Sequence, residues 1–198
     1  MQTPAADDDI EQALGALGAA LGRVGAPWMV IGGIAVIAHG VRRMTTDIDA
    51  VVGGATSIGA ILRELEHERI VARIADAEAF ARTSYVLLVR HEPTGVELDI
   101  AVAATAFEQE ALDARVDTRF GGTAVPMARP EDLVLYKAFA GRPKDVEDAT
   151  ALLSLYRDID IERVRKRLAE LAESADRPEL NASLEDMLRI AKRMRPKS

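Results

Sequence analysis

WMVIGGIAVIAHGVRRMTTDIDAVV, residues 28 to 52, decides the fold. Its first four residues are a short apolar run that meets Gly32-Gly33, after which 34 to 39 reads as a short helix closed by Gly40. Asp47-Ile48-Asp49-Ala50-Val51-Val52 alternates and then turns wholly apolar before Gly53-Gly54, as a strand with one half-exposed end does. Strand, glycine turn, helix and second strand follow one another with little between them. On a strand, residues i and i+2 point to the same side about 6.6 Å apart, so Asp47 and Asp49 share a face while Ile48 and Ala50 take the other.

Two like charges held that close are unfavourable unless a cation sits between them, and hard carboxylate oxygens suit magnesium. In Val96-Glu97-Leu98-Asp99-Ile100 the apolar residues again take one face, and Glu97 and Asp99 project from the other. A third carboxylate is thereby available from a neighbouring strand. Such a set can bridge two metal ions about 3.5 to 4 Å apart. Taken alone, Asp-x-Asp is more often the exposed end of an ordinary strand, and Gly-Gly more often an ordinary turn. Together they point elsewhere, because glycines at a helix start let backbone N–H groups approach a phosphate.

Working outward, residues 1 to 8 read as disordered, and Ile10, Leu14, Leu17 and Leu21 mark one face of a first helix. Ser57 can cap a helix running to about residue 69. Stretches 85–90 and 95–102 read as strands joined as a hairpin, with further strands at 115–120 and 123–127. From Pro130 the pattern turns helical: 131–140, a break at Gly141-Arg142-Pro143, then 144–156, 160–174 and 184–193. The expectation is an α+β fold (α/β mixed sheet flanked by helices), with a catalytic domain over 1–128 and a C-terminal helical cap over 129–198.

Composition narrows the chemistry. With 25 Lys and Arg against 32 Asp and Glu the formal charge is −7, which opposes broad attraction to nucleic acid. There is no Cys, so disulfides, thiolate metal sites and cysteine nucleophiles are excluded. The longest apolar run, residues 28–38, is too short for a membrane helix, and Asp7, Asp8, Asp9 and Glu11 contradict the positive start of a signal peptide. A cytoplasmic protein is expected.

The 28–52 stretch, an apolar residue followed by Gly-Gly, a spacer and Asp-x-Asp, resembles the polymerase-beta-like nucleotidyltransferase superfamily. Arg42, Thr45 and Thr46 ahead of Asp47 look like the Arg-x-Thr-x-Asp-hydrophobic-Asp of its small bacterial members, and VELDI at 96–100 is similar to the strand bearing its third carboxylate. EDLVLYKAFAGRPKDVEDATALL, residues 131–153, resembles the helix pair of abortive-infection (AbiEii-type) nucleotidyltransferase toxins. The resemblance implies nucleotide binding by Gly32, Gly33, Arg42, Thr46, Lys137, Arg142, Asp145 and Asp148. It implies two magnesium ions, or manganese, on Asp47, Asp49 and Asp99, and a catalytic set of Asp47, Asp49, Asp99 and Lys137. The reaction implied is transfer of a nucleoside monophosphate from a nucleoside triphosphate to a hydroxyl, with pyrophosphate released.

Independently of that likeness, Lys137 is the lone charge of residues 133–140 and needs a partner, phosphate or carboxylate. Asp145 and Asp148 share a helix face within reach of Arg142 or Lys137, which suits either a ligand site or a salt-bridge network. His39 reads as a packed or hydrogen-bonded side chain rather than a ligand. Arg163, Arg165, Lys166, Arg167, Arg189, Lys192, Arg193, Arg195 and Lys197 make the last third locally basic, either as a solvated helix face or as an RNA dock. A toxin would bring a tRNA acceptor and an antitoxin partner. A silent nucleotide- or protein-binding module and an antibiotic-type small-molecule transferase share the same residues.

Overall fold

The computed structural model describes residues 7–195. In chain order the elements are α1 (Asp7–Val24), β1 (Trp28–Ile31), α2 (Gly32–Ala38), β2 (Asp47–Val52), α3 (Ile58–His67), β3 (Ile70–Ala72), α4 (Ala77–Ser84), β4 (Val86–His91), β5 (Glu97–Val102), α5 (Ala106–Asp113), β6 (Val116–Phe120), β7 (Thr123–Met127), α6 (Pro130–Ala140), α7 (Pro143–Leu155), α8 (Ile161–Ser174) and α9 (Glu179–Met194). They form two compact units: residues up to 38 with Arg43–Ala128, and His39–Arg42 with the residues from 129 on. No helix among the described residues is long and apolar enough to cross a membrane.

The first unit is built on one seven-stranded mixed sheet in the order β3-β4-β5-β2-β1-β7-β6. β1 runs antiparallel to β2, whereas β2 and β5 are parallel over six rungs, from Asp47 opposite Glu97 to Val52 opposite Val102. The apolar half of each alternation goes inward: Ile48, Ala50, Leu87, Val89, Leu98 and Ile100 are wholly buried. Helix α1 buries Ile10, Leu14, Leu17 and Leu21, and its Arg23 is 2.7 Å from both Glu64 and Glu68 near the end of α3. Asp7 and Asp8 belong to this helix instead of a disordered tail, since acids in a first turn complement the helix dipole. The rest of that expectation lies outside the described residues.

The α+β architecture and the β1–α2–β2 succession are as the sequence predicts. Three elements were not anticipated. β3 is only three residues long, and α4 lies between Asp76 and Tyr85, both in left-handed backbone, with no side-chain cap to announce it. α5 did carry a signal: Thr105 accepts from the Glu108 N–H at 3.2 Å while Glu108 accepts from the Thr105 N–H at 2.9 Å, a capping box legible as Thr-x-x-Glu.

In the second unit α6 and α7 are separated by Gly141 at φ +69°, and Pro143 occupies the first turn of α7. α9 starts five residues before the expected 184, which adds buried Leu180 to Leu184, Met187 and Ala191 on one face. Much of the basic segment is internally matched: Arg163 pairs with Asp132, Arg165 with Glu162 and Glu185, Arg167 with Glu170, and Arg189 with Asp186.

Candidate active site

The parallel register places Asp47 opposite Glu97 and Asp49 opposite Asp99. Because directly opposed residues share a face, four carboxylates form a two-by-two block on one side of the sheet, at the start of both strands. Ile48, Leu98 and their neighbours hold that block in place by filling the core beneath it. The cross-strand row through Asp99 continues to Ile31 on one side and to Leu88 on the other.

Arg73, just past β3, heads the same row: its N–H donates to the Leu88 carbonyl at 2.9 Å. From there its guanidinium reaches over to β5, donating from one terminal nitrogen to Glu97 Oε2 at 2.6 Å and from the other to Asp99 Oδ1. Sequence reasoning missed this arginine, because nothing in Ile70-Val71-Ala72-Arg73 shows that it will lie across two strands from Asp99.

Beside β2, Gly32 has φ +65°, and a Cβ there would overlap the Asp49 carboxylate. Gly33 is similarly closed, since a Cβ would stand 2.6 Å from the Thr45 hydroxyl. That hydroxyl donates to Asp47 Oδ1 at 2.7 Å, so Thr45, not the exposed Thr46, orients the first carboxylate. The two glycines thus let Asp49 and Thr45 approach the backbone where the chain enters α2.

The hard oxygens of Asp47, Asp49, Glu97 and Asp99 have the donor chemistry a divalent cation prefers, and the missing side chain of Gly32 lets Asp49 close on the backbone at the start of α2. As they stand, no three acidic or imidazole side chains among the described residues converge to hold a metal. The arrangement of β5 gives a reason: Asp99 is drawn to Arg73. Asp47 and Asp49 carry the donors a cation site needs, and Asp99, engaged by Arg73, would join them only on leaving that contact.

Lys137, Arg142, Asp145 and Asp148 lie together in the second unit. The buried Lys137 Nζ is 3.0 Å from Asp145 Oδ1 and 3.1 Å from Asp148 Oδ2, and Arg142 Nε donates to Asp145 Oδ2 at 2.5 Å. Burial would push the Asp145 carboxyl up, but hydrogen bonds from Arg142 and Lys137 outweigh it and hold the group below its ordinary range. These are the contacts of a brace between α6 and α7. Arg42 is exposed, and His39 stacks edge-on against Tyr156, whose hydroxyl donates to the His39 carbonyl at 3.2 Å.

The family model described as "Nucleotidyltransferase of unknown function (DUF6036)" matches residues 9–192. No curated protein sequence matches the chain. Among solved structures, an antigenic nucleotidyltransferase-like protein from Paracoccidioides brasiliensis superposes with a TM-score of 0.58 at 17% identity, covering 92% of this chain and 95% of that one. The antibiotic-resistance factor ANT(2'')-Ia gives 0.57 at 18% identity, covering 95% and 97%. Lincomycin-bound LnuA, a lincosamide antibiotic adenylyltransferase, gives 0.52 at 15% identity, covering 78% and 100%. At these identities the likeness is one of fold.

Proposed function

The chain belongs to this nucleotidyltransferase family, and on that premise we propose that it transfers a nucleoside monophosphate from a nucleoside triphosphate to an acceptor hydroxyl at the sheet face carrying Asp47, Asp49 and Asp99. The observation that carries the reading is the in-register pairing of Asp49 with Asp99 beside a glycine whose Cβ position is taken by the Asp49 carboxylate. The acceptor oxygen forms a bond to the α-phosphorus as the bond to the β-phosphate oxygen breaks, and pyrophosphate leaves with that electron pair. Asp99, once free of Arg73, would take the hydroxyl proton, and Thr45 holds the Asp47 carboxylate so that it meets its ligand in one orientation. Gly32 and Gly33 would meet the triphosphate at main chain where Asp49 and Thr45 give way, since those side chains now close on both glycines. Magnesium held by Asp47 and Asp49, with Asp99 joining, would supply neutralisation of the charge that builds on phosphate.

Lys137 enters this reading in one of two ways. Its contacts with Asp145 and Asp148 support a bracing role, and a phosphate contact of the kind the AbiEii-type resemblance implies would require those ion pairs to be exchanged. Of the acceptor classes, a small-molecule hydroxyl is favoured over the end of a tRNA. The formal charge is −7, and Arg163, Arg165, Arg167 and Arg189 are engaged by acids of their own unit, which weakens the basic face an RNA-modifying toxin with an antitoxin partner would present.

Incubation with each labelled nucleoside triphosphate and magnesium, against total RNA and against a panel of polyhydroxylated small molecules, tests both levels. Label in a small molecule with stoichiometric pyrophosphate is expected. Label in RNA would overturn the acceptor assignment and leave transfer intact. Triphosphate binding by calorimetry with no pyrophosphate from any mixture would instead identify a silent binding module.

A further inference from the structure

We propose that Arg73 is a displaceable counter-ion, holding Asp99 and Glu97 when no divalent cation is bound and competing with that cation for the third carboxylate of the site. The inference rests on the nucleotidyl-transfer reading above. Its first support is position. The two acids that Arg73 bridges are those standing opposite Asp49 and Asp47, so each carboxylate it holds is one that a cation on β2 would draw on.

Its second support is the incompleteness of the clamp. Arg73 Nε is buried and has no hydrogen-bond partner among the described residues, so the two acids leave part of the guanidinium unsatisfied. The acids it holds are meanwhile half-exposed, with side chains 39% and 48% accessible for Glu97 and Asp99. Ion pairs open to water exchange partners readily, and a doubly charged ion outbids a guanidinium for a carboxylate shared with Asp49. Arg73 also sits just past a three-residue edge strand that pairs on one side only, so its release disturbs little of the sheet. Removing Arg73 therefore strengthens cation binding, although it deletes a contact that the folded chain makes.

Calorimetric titration of manganese into the wild type, Arg73→Gln, Arg73→Lys and Arg90→Gln is the test. Arg90 stands opposite Glu97 on β4 and is exposed, so its loss removes the same charge nearby without removing the clamp. Arg73→Gln is expected to bind manganese about tenfold more tightly, the scale of one charge-assisted hydrogen bond exchanged, and Arg90→Gln within about twofold of wild type. Arg73→Lys keeps the charge but loses the fork and gains less in the same direction; it carries the test if the glutamine variant does not fold. The side-chain nitrogen resonance of Arg73, identified by its absence in the variants, is expected to shift on saturation with magnesium. Equal affinities for wild type and Arg73→Gln, an equal gain in Arg90→Gln, or a resonance that stays fixed overturns the proposal. If Asp47→Asn/Asp49→Asn abolishes manganese binding while Arg73→Gln matches wild type, the transfer site stands and only the role of Arg73 falls. If no protein in the set binds manganese, both fall.

Discussion

Two clusters of charge in this chain use nearly the same ingredients to opposite ends. In the second unit, Lys137 lies between Asp145 and Asp148 with side chains 8%, 1% and 6% exposed, so each charge is matched and sealed from water. On the sheet of the first unit, Asp47, Asp49, Glu97 and Asp99 share one face, the contacts at Glu97 and Asp99 coming from a single arginine that leaves one donor unused. Buried ion pairs lock geometry because breaking them strands a charge in a poor solvent, whereas exposed ones can be traded for a ligand. On the proposed reading, the sheet cluster is the place for chemistry, and the contacts of the helical one are those of a fastener.

Substitutions in each cluster should fail in different ways. The largest expected effect is Asp47→Asn/Asp49→Asn, with transfer falling by about a thousandfold or more while the denaturation midpoint stays at or above that of wild type, since two crowded like charges are relieved. Pyrophosphate release and urea unfolding measured on the same preparation check both halves, and an active double variant would remove the site from the sheet.

Lys137→Met reverses the pattern. It should lower stability by about 3–5 kcal/mol, because Asp145 and Asp148 are left buried without the ammonium, and any loss of activity should track the loss of folded protein. Nucleotide affinity that collapses in well-folded Lys137→Met would sharpen the contrast differently, giving the lysine a role in binding phosphate. The pH response separates the clusters further. The folded-state pKa of Asp145 lies below its ordinary 3.8, so its contribution to stability is present above about pH 3.8 and disappears as the pH falls below that through the depressed value. The stability gap between wild type and Asp145→Asn, followed by denaturant titration, should therefore narrow only in acid below pH 3.8.

Smaller effects are expected around the glycine entry to α2. Gly32→Ala places a side chain at φ +65° and against Asp49, with a cost of about 1–2 kcal/mol from backbone alone and a larger loss of turnover as Asp49 is pushed aside. Thr45→Val removes one donor to Asp47 and should lower kcat about tenfold or less with little change in folding, readable from steady-state rates and thermal unfolding together.

Much of this was legible in the sequence where period and chemistry coincide. Alternation in Asp-Ile-Asp-Ala and Glu-Leu-Asp-Ile determines which side each residue faces, so the acidic face could be read without knowing which strands are neighbours. That the two acidic strands are neighbours was expected from their shared chemistry and holds, but their parallel sense could not be read, because it depends on a crossover through α3, β3, α4 and β4, two of which carry no usable local signal. Arg73 was hidden for the same reason: its meaning comes from a reach across β4. Thr45 was read as part of the motif ahead of Asp47, but its hydrogen bond to that carboxylate was not, since the turn that brings the hydroxyl round is not written in residue types alone.

The six uninterrupted rungs between β2 and β5 also limit what lengths the chain can tolerate. A single-residue deletion within 97–102 would exchange the faces of every residue on one side of the cut, setting acids such as Asp99 toward the apolar interior or apolar residues such as Ile100 toward solvent. The bend at 92–95, which closes on itself through the Gly95 N–H and the His91 carbonyl at 2.8 Å, has no such parity to keep. Length changes at 92–95 should therefore be tolerated far better than length changes inside 97–102.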